Sequence, residues 1–343
     1  MKRIGNGILL LVAISLIITG FSGTAVAQQN KVIELTFGTP FPVDHMFSVT
    51  DKKWMDKVEK ETNGRVKFKP YWGGAVIGGR DSAEQLVQGV VDIAFLNPTT
   101  SRSGFPITKA SFLFMYGVKN LEVGEKVWKD LLTKFPEIEQ DYKGMKVLCW
   151  AGNMNQLITR KPVRRTEELK GMRIQTYGDV TIALKDLGIE GLSMSGAEVY
   201  VALQKGILDG LFIPAEALDS LKLSEVAKYA TMINFYRCRT GMRMMNLNKF
   251  NSLPPDIKKV IESNIDYYGK ETETAFNQRD TYVMGLGGKL GVEFIRLSNE
   301  DLAKFYAPIK MVAAERAKEL DSMGLPGTKI LNEAQRLIQL YNK

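Results

Sequence analysis

The chain has one histidine, His45, and two cysteines, Cys149 and Cys238, in 343 residues. A Ser-His-Asp or Cys-His catalytic set would have to be built on His45. No G-x-S-x-G elbow accompanies it, so a hydrolase is poorly supported. Zinc spacing is absent too, with neither C-x-x-C nor H-E-x-x-H, and neither a metal site nor a cofactor is expected. The run Gly285-Leu286-Gly287-Gly288-Lys289 fails as a phosphate-cradling loop, because Leu290 stands where a Ser or Thr should follow the lysine. It also follows a helical pattern and not a strand, so it reads as a helix cap and turn.

Long apolar runs are missing after the first residues, and so is a clustered charge of one sign. Lys2 and Arg3 precede an apolar run, Ile8 to Ile18, and Ala25-Val26-Ala27 is a small-residue cleavage site. A run of roughly eleven residues suits a secretory signal and is too short for an ordinary membrane span. Residues 1–27 are therefore expected to be removed on export, with cleavage after Ala27, leaving a soluble protein in the periplasm. The formal charge of +8 is modest and scattered. Only Arg160 to Arg165 clusters, and it reads as a solvated loop, so no nucleic-acid partner is expected. Export permits a disulfide, but both cysteines lie in apolar, strand-like runs and read as buried thiols.

What the chain does contain is βαβ patterning. From Leu169 to Pro214 a short strand at Arg173 to Thr176 leads into a helix at Asp179 to Leu187. Gly188 closes that helix, and strands follow at Leu192 to Met194 and Leu211 to Ile213, with a further helix between them. Val32 to Leu96 repeats the scheme, with strands near 32–38, 65–71 and 91–96 and helices near 47–61 and 82–88. Such units demand parallel sheets with right-handed crossovers, and ligands bind at the carboxyl ends of the strands. Residues 111–116 read as an apolar loop, 121–135 as a helix and 146–151 as a strand. Thr231 to Leu247 is a long extended return. Pro254-Pro255 opens a helix whose period runs without an obvious break towards Met284, long enough to cross both lobes. Helices at 299–323 and 331–341 are expected on the outside. Two chain crossings, near Gly152 and near Arg239, make a hinge. The expected fold is α/β, a two-lobed binding protein with lobes at 28–152 plus about 240–284, and 153–239 plus about 285–343.

Several stretches together carry a resemblance: FGTPFPVDHMFS, YWGGAVIGGRDSAEQLVQGVVDIAF, LKGMRIQTYG, SGAEVYVALQKGILDG, LKLSEVAKYAT and MNLNKFNSLPPDIKKVI, in that order. They resemble the solute-binding proteins of tripartite ATP-independent periplasmic (TRAP) transporters, of the dicarboxylate-binding type. The resemblance implies a periplasmic protein that captures a small organic solute between two lobes and delivers it to small and large integral-membrane permease subunits, without covalent chemistry. The alternatives are a ligand-presenting module for a two-component sensor and an exported α/β enzyme.

Aligned on the family pattern LKGLKIRVPG, Gln175 stands where most members carry a carboxylate-binding arginine. Arg173 lies two residues earlier on the same strand face. The resemblance also implies pocket positions at Asn97, Asn155 and Phe212. With Gln175 they make a pocket of amides and of the aromatics Trp72, Trp150, Tyr177 and Phe212, with few charges. A buried carboxylate without a cation is costly. So either the ligand is not a simple carboxylate, or another arginine serves. Arg237, Arg239 and Arg243 alternate onto one face of the return strand, and Arg239 is the preferred substitute. Glu216 could instead meet a cationic ligand.

Overall fold

The computed structural model describes residues 32–343 other than Ser195 and Thr240. The expected signal segment, 1–27, lies outside the described residues. Eleven strands form two sheets among the described residues. The first contains β1 (Ile33–Gly38), β2 (Val66–Tyr71), β3 (Ile93–Leu96), β4 (Met145–Cys149) and β10 (Met242–Asn246), in the order β2-β1-β3-β10-β4. The second contains β5 (Asn153–Thr159), β6 (Arg173–Gln175), β7 (Glu190–Leu192), β8 (Gly210–Ile213), β9 (Tyr229–Arg237) and β11 (Glu293–Arg296), in the order β11-β9-β5-β8-β6-β7. The fold is the two-lobed α/β architecture expected.

The sheets follow from alternation and crossover. In β1, Leu35 and Phe37 are fully buried while Glu34 is exposed and Thr36 half-buried, the period of two that a strand imposes. β1 pairs parallel with β2, Ile33 opposite Val66, and with β3. The helices Met46–Glu61 and Ser82–Val87 supply the crossovers. β10 runs antiparallel between β3 and β4, and β9 runs antiparallel to β5. The long extended return is therefore two strands in two sheets. Arg239, between them, has φ +48°, a left-handed backbone outside the extended region that regular strands occupy.

Two expectations need correcting. Residues 111–116 are not a loop, since Pro106–Phe114 is a helix with Ile107, Leu113 and Phe114 fully buried. The long helix is interrupted at Asn264 (φ −102°, ψ 5°), leaving Pro255–Ser263 and Ile265–Gly285. Asn264 turns its amide back onto the Val260 carbonyl and onto Glu61, which ends the first helix without glycine or proline. The second piece still joins both lobes: Tyr268 packs in the core under the first sheet, and Val283 in the cluster under the second. The C-terminal helices, Asn299–Ser322 and Gly327–Tyr341, lie on the outside as expected, each with one exposed and one buried face. Phe305, Ile309 and Ala313 are 0–1% exposed, and the pair packs on the helices Pro106–Phe114 and Leu121–Lys134.

Candidate ligand-binding site

A cavity of about 1100 Å³ opens between the lobes. Its walls come from the loop after β1 (Phe41, His45), the segment after β8 (Glu216, Leu221) and the helix Ile265–Gly285 (Arg279, Tyr282). Two of these walls follow the carboxyl ends of strands, where open α/β sheets bind ligands. His45 is occupied structurally. Its Nδ1 accepts from the Phe47 amide at 3.2 Å, capping the helix Met46–Glu61, and its ring stacks on Phe41 at 4.1 Å. Burial, with the Arg243 charge, lowers its pKa to about 4, so it is a neutral ring at neutral pH. Glu216 donates its backbone N–H to Asp280 on the crossing helix at 2.8 Å. Burial raises both carboxyls, Asp280 to about 7, aided there by the Glu216 charge. Arg279 pairs with Asp219 beside them.

The hinge end of the second sheet gathers the remaining polar groups. Asn155 on β5 is fully buried, and its Nδ2 donates to Tyr177 Oη at 2.7 Å and to the Phe212 carbonyl at 3.2 Å. Its Oδ1 is buried with no partner. A register shift between Asn155 and Leu157 breaks the β5–β9 ladder here, the kind of bulge that re-aims a side chain. Arg237, at the end of β9, lies with its guanidinium 4.0 Å from the Tyr177 ring and 5.3 Å from Phe112. Its Nε is buried without a partner, and burial pulls its pKa down.

The other arginines have different surroundings. Arg243 is fully buried, pairs with Asp51 at 2.7 Å and donates to the Gly241 and Phe47 carbonyls. Arg173 grips Asp209 through two bonds of 3.0 and 3.1 Å, so it fastens the strand ends. Arg239 is 2% exposed and boxed by Trp150, Tyr142 and Trp128 at 4.8, 5.0 and 5.2 Å. Its Nε and Nη1 lack partners, though Glu125 and Asp141 feel its charge.

Of the residues singled out in the sequence, Asn155, Tyr177 and the backbone of Phe212 meet directly, and Trp150 covers Arg239. The Phe212 ring is buried in the core, 6.1 Å from Phe305. Gln175 sits on β6, with β8 between it and β5, and its Nε2 lies 3.5 Å from the Met194 carbonyl, at the edge of hydrogen-bond range. Asn97 caps the turn after β3, accepting from Thr99 N at 3.2 Å and Thr99 Oγ1 at 2.7 Å. Trp72 leans on Phe37, ring centroids 6.1 Å apart. Among the described residues, no hydrogen bond or ring contact joins Asn97, Trp72 or Glu216 to the Asn155–Tyr177 cluster. Phe112, beside Tyr177 and Arg237, falls in the stretch expected to be a loop, and the sequence favoured Arg239 over Arg237 as a pocket residue. The cysteines are free and buried, and burial raises the thiols to about 11 for Cys149 and about 12 for Cys238.

Comparison with known proteins adds three kinds of likeness. Residues 40–319 match the family model described as bacterial extracellular solute-binding protein, family 7. A solute-binding protein of Verminephrobacter eiseniae is 26% identical over 277 residues, 78% of this chain and 80% of that one. A TRAP periplasmic solute-binding protein of Desulfovibrio salexigens, solved as an open complex, is 26% identical with a TM-score of 0.77, covering 90% of this chain and 96% of that one. A marine-metagenome TRAP solute-binding protein, specific for aromatic acid ligands and solved with metahydroxyphenylacetate, is 25% identical with a TM-score of 0.77, covering 91% and 100%.

Proposed function

The chain belongs to family 7 of the bacterial extracellular solute-binding proteins, and from that membership we propose how this member works. It is a periplasmic solute-binding component of a TRAP transporter, which captures a small organic solute in the interlobe cleft and delivers it to a membrane permease. The observation that carries the reading is the cavity of about 1100 Å³ walled by both lobes and by the helix that joins them. The proposed sequence is capture in the open cleft, closure about the two crossings between the sheets, docking on a permease of one small and one large subunit, and release. The proposed solute is an organic acid. A structural neighbour takes aromatic acids, and this chain sets unpaired guanidinium groups among aromatic rings beside β5. Gln175 and Arg239 are proposed as further contacts. Export is proposed to end with cleavage after Ala27, so that the mature chain begins at Gln28.

The test is to purify the protein from the periplasm, release whatever solute it carries by unfolding, and identify it by mass spectrometry. Rebinding by calorimetry should then show one site per chain and leave the solute chemically unchanged. Protein that carries no solute and binds none of an anionic, neutral and cationic panel would contradict the reading. The intact mass of the same preparation checks the cleavage site.

A further inference from the structure

Three polar atoms near the hinge are buried or held in place without spending their hydrogen-bonding capacity. The first is an acceptor. Asn155 gives its Nδ2 to the Phe212 carbonyl. A carbonyl can only accept, so the amide orientation is fixed and Oδ1 is the atom left over, buried and unpartnered. The second is a donor. Tyr177 Oη accepts from Asn155 Nδ2 at 2.7 Å, which leaves its own proton free to donate. The third is charged. Arg237 Nε is buried and unpartnered, and the titratable groups that bear on this guanidinium are Tyr177 and Cys238, not a carboxylate.

The fold gathers these atoms. Asn155 stands opposite Phe235 across the β5–β9 ladder, and Arg237 is two residues further on, so both side chains share one sheet face. Tyr177, just beyond β6, reaches over to both. Phe112 closes the group from the helix Pro106–Phe114, its ring 5.8 Å from Tyr177 and 5.3 Å from the Arg237 guanidinium.

We propose that Arg237, Tyr177 and Asn155 form the anion subsite of this chain, and that the subsite selects a hydroxycarboxylate with an apolar body. The proposal rests on the solute-binding reading above and names the solute's chemical class. Arg237 and the Tyr177 hydroxyl take the carboxylate, a charge-assisted pair of contacts. Asn155 Oδ1 accepts from the ligand hydroxyl. An ammonium could also donate to Oδ1, but it would stand beside a guanidinium, and like charges in a buried site repel. The Phe112 and Tyr177 rings flank the apolar part. Of the other arginines considered, Arg243 pairs with Asp51 and Arg173 with Asp209, while Arg239, two residues on, is boxed by Trp128, Tyr142 and Trp150. Arg237 thus takes over the anion contact where the resemblance places Gln175. A half-buried arginine whose Nε is buried without a partner costs stability, a cost of the kind proteins carry where function needs it.

Calorimetry on the full-length mature protein, stripped of solute, tests this with three matched sets. The hydroxycarboxylates run from lactate to 3-hydroxyphenylacetate. The second set lacks the hydroxyl (propionate, phenylacetate). The third replaces the carboxylate by an amide (lactamide, 3-hydroxyphenylacetamide). Wild type should bind a hydroxycarboxylate about two- to tenfold tighter than its deoxy partner and about tenfold or more tighter than its amide. Arg237→Gln should erase the acid-over-amide preference, and Asn155→Ala the hydroxyl preference. Solute-free Arg237→Gln should melt at a higher temperature than wild type, whereas a purely structural arginine would make it melt lower. The subsite is overturned if wild type binds amides or cationic solutes as well as acids, or if Arg237→Gln keeps wild-type affinity for the acids. In those cases a bound solute still upholds the solute-binding reading. No binding by any solute class would overturn both.

Discussion

Arg243, Asp51 and Tyr268 form a fully buried charged set in which Asp51 Oδ1 takes both partners and Oδ2 has none. Burial would discharge the guanidinium, but Asp51 holds it firmly protonated, and Tyr268 donates to the same carboxylate oxygen at 2.5 Å. Asp51→Ala would strand a fully buried cation, and a loss of about 3–5 kcal/mol is expected in urea unfolding. Near the hinge the balance differs. Glu125 Oε1 accepts from Gly152 N at 2.7 Å, at the first crossing, and from Tyr236 Oη at 2.9 Å, on the strand leading to the second. Burial raises its pKa from 4.5 to about 7, helped by the Glu273 charge and opposed by these hydrogen bonds and by Arg239. The folded state therefore holds a proton that the unfolded chain gives up. Its stabilisation is complete below about pH 4.5, declines as pH rises towards about 7, and is gone above that. Over about two and a half units this amounts to about 3 kcal/mol at most. Glu125→Gln keeps the acceptor and removes the titration. It should be more stable than wild type at pH 8 and show a flatter profile between pH 5 and 8, measured by thermal melts across pH. A mutant weaker than wild type at pH 8 would show that the ionised carboxylate itself stabilises the fold. Gly152 has no room for a side chain there, since a Cβ would stand 2.6 Å from Tyr236 Oη and 2.7 Å from Glu125 Oε1. Gly152→Ala is expected to cost about 1–3 kcal/mol by the same melts.

Elements with a strong local period could be read from the sequence. The βαβ strands, the helices Met46–Glu61 and Leu121–Lys134, and the crossings on either side of Gly152 and Arg239 all follow from alternation, helical spacing and turn residues. What could not be read depends on partners far along the chain. The interruption at Asn264 is made by a side chain folding back onto Val260 and reaching Glu61, with no residue type that breaks a helix by itself. Of the proposed subsite, Asn155 and Tyr177 could be singled out from the sequence. The ranking of Arg239 over Arg237 assumed a straight strand, and the left-handed backbone at Arg239 turns it into the box of Trp128, Tyr142 and Trp150. Phe112 lay in a run too uniformly apolar to show a period. Which surface the C-terminal helices cover could not be read, because amphipathic helices do not announce it. Their burial predicts that Phe305→Ala, which empties a core site against Phe212 and Tyr306, costs about 3–5 kcal/mol. Urea unfolding checks this, and a loss under about 1 kcal/mol would show that Phe305 is not a core residue.

At the scale of the whole molecule, two sheets are joined by two short crossings, and one helix, Ile265–Gly285, packs with the cores of both. Its far end is fastened to the second lobe through Asp280 and Arg279, so a lobe rotation must be absorbed at the crossings and along that helix. The proposed moving units remain residues 28–152 with about 240–284, and 153–239 with about 285–343. The helices Pro106–Phe114 and Leu121–Lys134 are the exception, because they pack on the C-terminal pair of the second unit. A cleft binder of this build closes when its solute contacts both walls. Small-angle scattering on solute-free protein, and on the same protein saturated with the solute released from it, tests this most directly. The radius of gyration should fall on binding and return when the solute is removed. An unchanged radius at saturation, with binding verified calorimetrically in the same sample, would contradict capture by closure of the lobes.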